Sequence, residues 1–217
     1  LEYVLQGYRR GDRSFAQPIA AGNAGLSPVQ VEQTVDNLVR LFDLYLDLTE
    51  AGVDWLAECS RACRARGISP WLSYRMNATH FSTAPESPAS CQLFRDPKKR
   101  LSGRIPGAAA TTHAGWIGLN YGRRPVRDYM LAMIREGIES YDYEGLELDW
   151  LRHPVCLEAP ATARQTDEMT DWFAEIKALT KARRPSFPLG LRIPSNLGYL
   201  RTIGLDVKTL VQRGIVD

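Results

Sequence analysis

Glu147 and Asp149 stand two residues apart in Leu146-Glu147-Leu148-Asp149-Trp150, a stretch whose apolar alternation predicts a β-strand. Side chains two apart on a strand share a face, so both carboxyls are presented together. Two such groups can divide acid–base work, one protonating a leaving group while the other serves as nucleophile or base. Asp149 lies nearer the C-terminal end of the strand and is the lead catalytic candidate, with Glu147 as its partner. The competing reading is an ion-pair network inside a core, which places charges in the same way.

Other polar side chains follow the same alternation. Ser73, Arg75 and Asn77 recur along one predicted strand, and Gly190 and Arg192 along another. A guanidinium fork matches the planar oxyanion of a carboxylate or sulfate, so Arg75 and Arg192 are candidates for gripping an anionic ligand group. They could equally neutralise Glu147 and Asp149. Asn77 and Asn120, at strand ends, are candidates for contacts to ligand hydroxyls. His153, four residues after Asp149, is a candidate proton shuttle, metal ligand or substrate contact, or else a loop anchor beside Pro154. Arg75, Asn77, Asn120, His153 and Arg192 thus form the expected substrate-binding set.

The elements that must hold these residues alternate. Ser27-Pro28 reads as an N-cap followed by proline in the first helical turn, and Val31, Val35, Leu38, Phe42 and Tyr45 continue at helical spacing. A second helix is expected over about 53–66, stopped by Gly67, then a strand over 68–76. A helix from Pro125, the strand 146–150, a helix over about 167–183, a strand over 189–193 and one short helix within 195–211 follow. Residues 7–25 and 77–116 read as loops, and 117–121 as a short extended piece. Helices alternating with short apolar strands predict βα units and a parallel sheet. No glycine-rich turn follows an early strand, which disfavours a doubly wound nucleotide-binding sheet. Polar residues gathered at strand C-termini favour a (β/α)8 TIM barrel. Strand starts near residues 2, 69, 145, 189 and 215 leave the barrel incomplete, with about five strands. One partial domain over 1–217 is expected, and the opening without Met reads as a piece of a longer protein whose leader cannot be judged.

Composition narrows the function classes. The 217 residues carry 27 Lys+Arg against 25 Asp+Glu, a net charge of +2, with 44% hydrophobic residues. That balance excludes disorder and disfavours a nucleic-acid partner. No apolar run of about 18 residues exists, so no membrane span is expected. Four cysteines are too few for a disulfide framework and read as small buried hydrophobes, and His80, His113 and His153 lack zinc-site spacing. No metal or cofactor is implied, and no protein partner is legible.

The segment Leu119-Asn120-Tyr121-Gly122-Arg123-Arg124-Pro125-Val126-Arg127, running on to Tyr143-Glu144-Gly145-Leu146-Glu147-Leu148-Asp149-Trp150-Leu151-Arg152-His153-Pro154, resembles the bacterial glycoside-hydrolase-like barrel proteins. Arg75-Met76-Asn77 and Leu191-Arg192-Ile193-Pro194 fit the same group, and the resemblance runs from about residue 55 onward. It implies a (β/α)8 barrel that hydrolyses a polysaccharide or oligosaccharide, a reaction run by two carboxyls. Glu144-Gly145-Leu146-Glu147-Leu148-Asp149-Trp150 is also similar to the strand motif of the chitinase-like hydrolases. Leu151 stands where those enzymes carry their general acid, so their substrate-assisted mechanism is excluded. Two alternatives stand beside the hydrolase: a barrel lyase or aldolase on a small anionic metabolite, and a carbohydrate-binding barrel without chemistry. No Lys falls in a predicted strand, which disfavours a Schiff-base enzyme.

Overall fold

The computed structural model describes residues 8–21, 25–77, 91–101, 118–151 and 153–217. The expected strand at 1–6, most of the loop from 77 to 116 with His80, His113 and Trp116, and Arg152 lie outside the described residues. The elements run α1 (Arg13–Ala21), α2 (Pro28–Glu50), α3 (Trp55–Arg64), β1 (Trp71–Arg75), α4 (Arg124–Ser140), β2 (Gly145–Asp149), α5 (Ala163–Arg183), β3 (Leu189–Arg192), α6 (Leu197–Thr202) and α7 (Val207–Gln212). Two 3-10 turns, Gln92–Arg95 and Pro97–Lys99, punctuate the long connection between β1 and α4. Among the described residues the strands form one parallel sheet in the order β1-β2-β3. The architecture is therefore mixed helix and strand, as the alternation predicts.

Several boundaries differ from expectation for local reasons. Helix α1 falls where a loop is expected. Pro18 hides its pattern, yet the Asp12 carboxylate caps it by accepting from the N–H groups of Ser14 and Phe15 (2.9 and 3.3 Å). Helix α5 begins four residues before the expected start, because Thr162 and Gln165 form a capping box. The single helix expected after β3 is two, each opened by its own cap, Asn196 and Asp206. No strand forms at 215. Instead the Asp217 N–H donates to the Leu189 carbonyl (3.0 Å), and its carboxylate accepts from the Leu189 N–H (2.7 Å). Lys177 beside that carboxylate holds it below the usual range. No described helix is long and apolar enough to cross a membrane.

The two faces of the sheet differ in kind. Leu72, Leu146, Leu148 and Leu189 face Val126, Met130, Ile134 and Ile138 of α4 and Met169, Trp172, Phe173 and Ile176 of α5 in one apolar cluster. Each such side chain contributes about 1.5–3 kcal/mol on full burial. Helix α4 crosses β1 at Gly137, where a Cβ would lie 2.6 Å from Leu72 Cδ2, and the Tyr74 hydroxyl donates to the Met133 carbonyl (2.8 Å). The other face carries Trp71, Ser73, Arg75, Glu147 and Arg192. Trp71 is 44% exposed. Its indole lies on two glycines of the neighbouring strands: a Cβ at Gly145 would come within 2.4 Å of the ring, and one at Gly190 within 3.2 Å.

Helices α1 and α2 pack on each other around Tyr8, Ile19 and Phe42 and around Ala16, Ala20 and Val35, in clusters separate from that of the sheet. The Tyr8 hydroxyl donates to Asp43 (2.7 Å), and burial first, then Asp43, pushes its pKa up to about 12. The cysteines are not uniformly buried as expected. Cys156 is buried, its thiol donating to the Ile203 carbonyl (3.2 Å), and burial pushes the thiol pKa up. Cys59 on α3 is exposed. Alkylation of the native protein is expected to mark Cys59 and to spare Cys156, because the reactive species is the thiolate and the reagent must reach it. Peptide mass mapping reads the result, and equal labelling would mean that the core around Cys156 opens.

Candidate functional site

Parallel pairing sets three of the predicted residues in one row. Arg75 is the register partner of Asp149, and Asp149 of Arg192, so the three ride on the same face at the C-terminal end of the sheet. One row below, Ser73, Glu147 and Gly190 are partners. This is the end at which parallel αβ folds place ligands, because the connecting loops and the strand carboxyl ends converge there.

The charges in the two rows divide asymmetrically. Asp149 has an 8% exposed side chain and accepts from Arg192 Nη1 through Oδ2 (3.1 Å) and from the Leu151 N–H through Oδ1 (2.9 Å). Arg192 is 53% exposed, so the pair sits at the boundary with solvent. Glu147 does not hold either arginine; it accepts from the Ser73 hydroxyl (2.8 Å). Arg75 is exposed, and no carboxylate among the described residues pairs with it. A carboxylate fixed by one backbone N–H and one guanidinium has a defined orientation, which is what a nucleophile or base requires.

Asn77, one of the expected ligand contacts, also ties loops together. Strand β1 ends at Arg75, and Asn77 turns inward to 2% exposure. Its amide nitrogen donates to the Val155 carbonyl and its oxygen accepts from the Leu119 N–H (3.0 Å), so both ends of the amide tie loops together. Gly118 permits the approach, since a Cβ there would lie 2.5 Å from the Asn77 amide. Asn120 is buried and its oxygen accepts from the Gly122 N–H (2.9 Å), closing the turn into α4. Leu119, expected within an extended piece, makes one antiparallel bridge to Arg100. His153 is half-buried in the loop that follows β2.

Tyr121 is the residue that the sequence reading missed. It is fully buried, its hydroxyl donates to the Met76 carbonyl, and its N–H donates to the Cys156 carbonyl (2.8 Å). Burial holds its phenol well above the usual value, so the proton needed for that bond is retained across the working pH range. The Tyr121 ring meets Trp150 edge-on (5.0 Å) and Trp172 (5.5 Å), and its carbonyl accepts from buried Arg127 Nη1 (2.6 Å). Arg127 is neutralised by Glu168 (3.3 Å). Asn77, Tyr121 and Arg127 thus lace the ends of β1 and β2 to the loops behind them. The available signal was an aromatic residue held between Asn120 and Gly122, which a search for charged groups passes over.

Among the described residues no three His, Cys, Asp or Glu side chains gather as a metal site. No protein-family model matches the sequence, and no curated protein matches it. Among solved structures the chain is similar to the GH36 alpha-galactosidase AgaA of Geobacillus stearothermophilus, at 15% identity and a TM-score of 0.40, over 64% of this chain and 19% of that one. It is likewise similar to a doubly substituted form of that enzyme in complex with stachyose, at 15% identity and a TM-score of 0.42, over 70% of this chain and 20% of that one. The chain therefore spans no more than about a fifth of the enzymes it matches, and a likeness this distant bears on neither its activity nor the closure of its sheet.

Proposed function

We propose that this chain is part of a (β/α)8 barrel glycoside hydrolase that cleaves a polysaccharide or oligosaccharide, with the three parallel strands as one sector of the barrel wall. The observation that carries the reading is Asp149, a carboxylate oriented by Arg192 and the Leu151 N–H at the C-terminal end of the central strand. In this reading the face bearing Trp71, Ser73, Glu147 and Asp149 is the barrel interior, and the apolar face under α4 and α5 is the wall that helices cover. Asp149 acts as nucleophile or base. Glu147, a row deeper and held by Ser73, or a carboxylate beyond the described residues, supplies the proton to the leaving oxygen. Arg75, Asn120, His153 and Arg192 surround the bound saccharide.

A second reading is favoured by Leu151, which stands 40% exposed where the chitinase-like enzymes carry an acid: a carbohydrate-binding barrel without turnover. One experiment separates the two. The full-length protein that carries this chain is incubated with neutral, uronate and sulfated oligosaccharides, and new reducing ends and bound sugar are both measured. New reducing ends are the expected result; binding without cleavage selects the binding barrel, and neither outcome on any saccharide overturns the proposal.

A further inference from the structure

The asymmetry of the two rows leaves Arg75 without a carboxylate, and Glu147 without a cation, among the described residues. Asp149 is engaged by Arg192 and the Leu151 N–H, and Glu147 by Ser73 (2.8 Å). Arg75 is adjacent to Asp149 in the sheet register and on the same face, yet no described carboxylate pairs with it. Two arginines facing two acids would be read from the sequence as mutual neutralisation. The structure breaks that symmetry, because a hydroxyl rather than a guanidinium serves Glu147.

The remaining donors share one face of the sheet. A guanidinium carries five N–H donors in a rigid planar fork. Arg192 uses one nitrogen on Asp149 and is half in solvent, so the rest of its fork is open. Arg75 and Arg192 flank Asp149 from strands on either side, which sets their backbones about 9–10 Å apart. Two long side chains rising from that spacing on one face can close on a single oxyanion directly above the carboxylate. An oxyanion there also screens Arg75 from Arg192, whose like charges otherwise repel across the mouth.

We infer that Arg75 recognises an oxyanion substituent, a uronate carboxylate or a sulfate ester, on the saccharide bound beside Asp149. The inference rests on the proposed saccharide site and adds the charge class of its ligand. Arg75 would bind the substituent in the ground state and in the transition state alike, so it is a specificity residue and not part of the bond-breaking machinery.

The test is calorimetric titration of the full-length protein that carries this chain with an oligogalacturonate, a sulfated galactan oligosaccharide and a neutral galacto-oligosaccharide of equal length. Wild type, Arg75→Gln and Arg75→Lys are compared; Arg75 is exposed and pairs with no carboxylate among the described residues, so neither change breaks an ion pair among them. The expected result is binding of one anionic oligomer about tenfold or more above the neutral one, a preference that Arg75→Gln abolishes so that charged and neutral oligomers bind alike. Arg75→Lys should recover more of the sulfate affinity than of the uronate affinity, because only the fork pairs bidentately with a planar carboxylate. The uronate and sulfate arms identify which oxyanion is bound. Equal wild-type affinity for charged and neutral oligomers, or a preference that survives Arg75→Gln, overturns the inference while leaving the saccharide site in place. Binding of no saccharide by wild type overturns both.

Discussion

Asp149→Asn is expected to lower turnover by about 10²–10⁴-fold, the contribution of a positioned acid–base group, with little change in KM. The substitution conserves volume in a nearly buried position, so no cavity opens. The side-chain oxygen can still accept from the Leu151 N–H, which keeps the turn after β2. What changes is the edge facing Arg192, where an amide nitrogen would meet a guanidinium, donor against donor. Arg192 is half exposed and can turn into water, which limits the loss of stability to about 1–2 kcal/mol. Initial rates on the cleaved oligosaccharide, together with thermal melts, separate the two effects. Near-normal turnover in a folded variant would make the Asp149–Arg192 pair architectural and move the chemistry elsewhere.

The largest stability effect belongs to the next residue along. Trp150→Ala is expected to cost about 3–5 kcal/mol, as other large aromatic truncations in cores do. The side chain is almost fully buried between Tyr121 (5.0 Å) and Phe173 (6.2 Å), so its removal leaves a void that rigid neighbours cannot fill. A loss of that size is a large part of the roughly 5–15 kcal/mol that a domain possesses. Trp150→Phe offers a sharper comparison. The indole N–H of Trp150 is buried with no acceptor among the described residues, and phenylalanine deletes that donor along with part of the volume. Urea titration followed at the sheet should therefore give Trp150→Phe less than half the loss of Trp150→Ala. Equal losses would mean that the ring packing retained by phenylalanine counts for little, and that the indole N–H, which both substitutions delete, sets the energetics there.

What the sequence made legible depended on period. The strands β1, β2 and β3 announce themselves as short apolar runs, and their parallel pairing follows from the intervening helices. The row of Arg75, Asp149 and Arg192 was legible for the same reason, since alternation assigns a face before any register is known. Register itself was not legible, and register decides partners: it gives Arg192 to Asp149 and leaves Ser73 for Glu147. The burial of Asn77 is not legible, because alternation does not extend past the end of β1, where the backbone turns and points the amide inward. Helix α1 was missed because proline and flanking glycines resemble a loop, while its cap, Asp12, lies one residue outside it. Tyr121 was missed because a brace built on backbone carbonyls leaves no charge pattern in the sequence.

The separate clusters of the α1–α2 hairpin bear on how the molecule comes apart. Tyr8, Ile19 and Phe42 share no apolar cluster with Leu146, Trp150 or Phe173, so packing lost in one group is not transmitted to the other. Substitutions in the two groups should therefore combine additively, and their amides should exchange with solvent through openings of different free energy. A single melting temperature then averages two cooperative units, and only probes within the sheet report on the ground beneath Asp149.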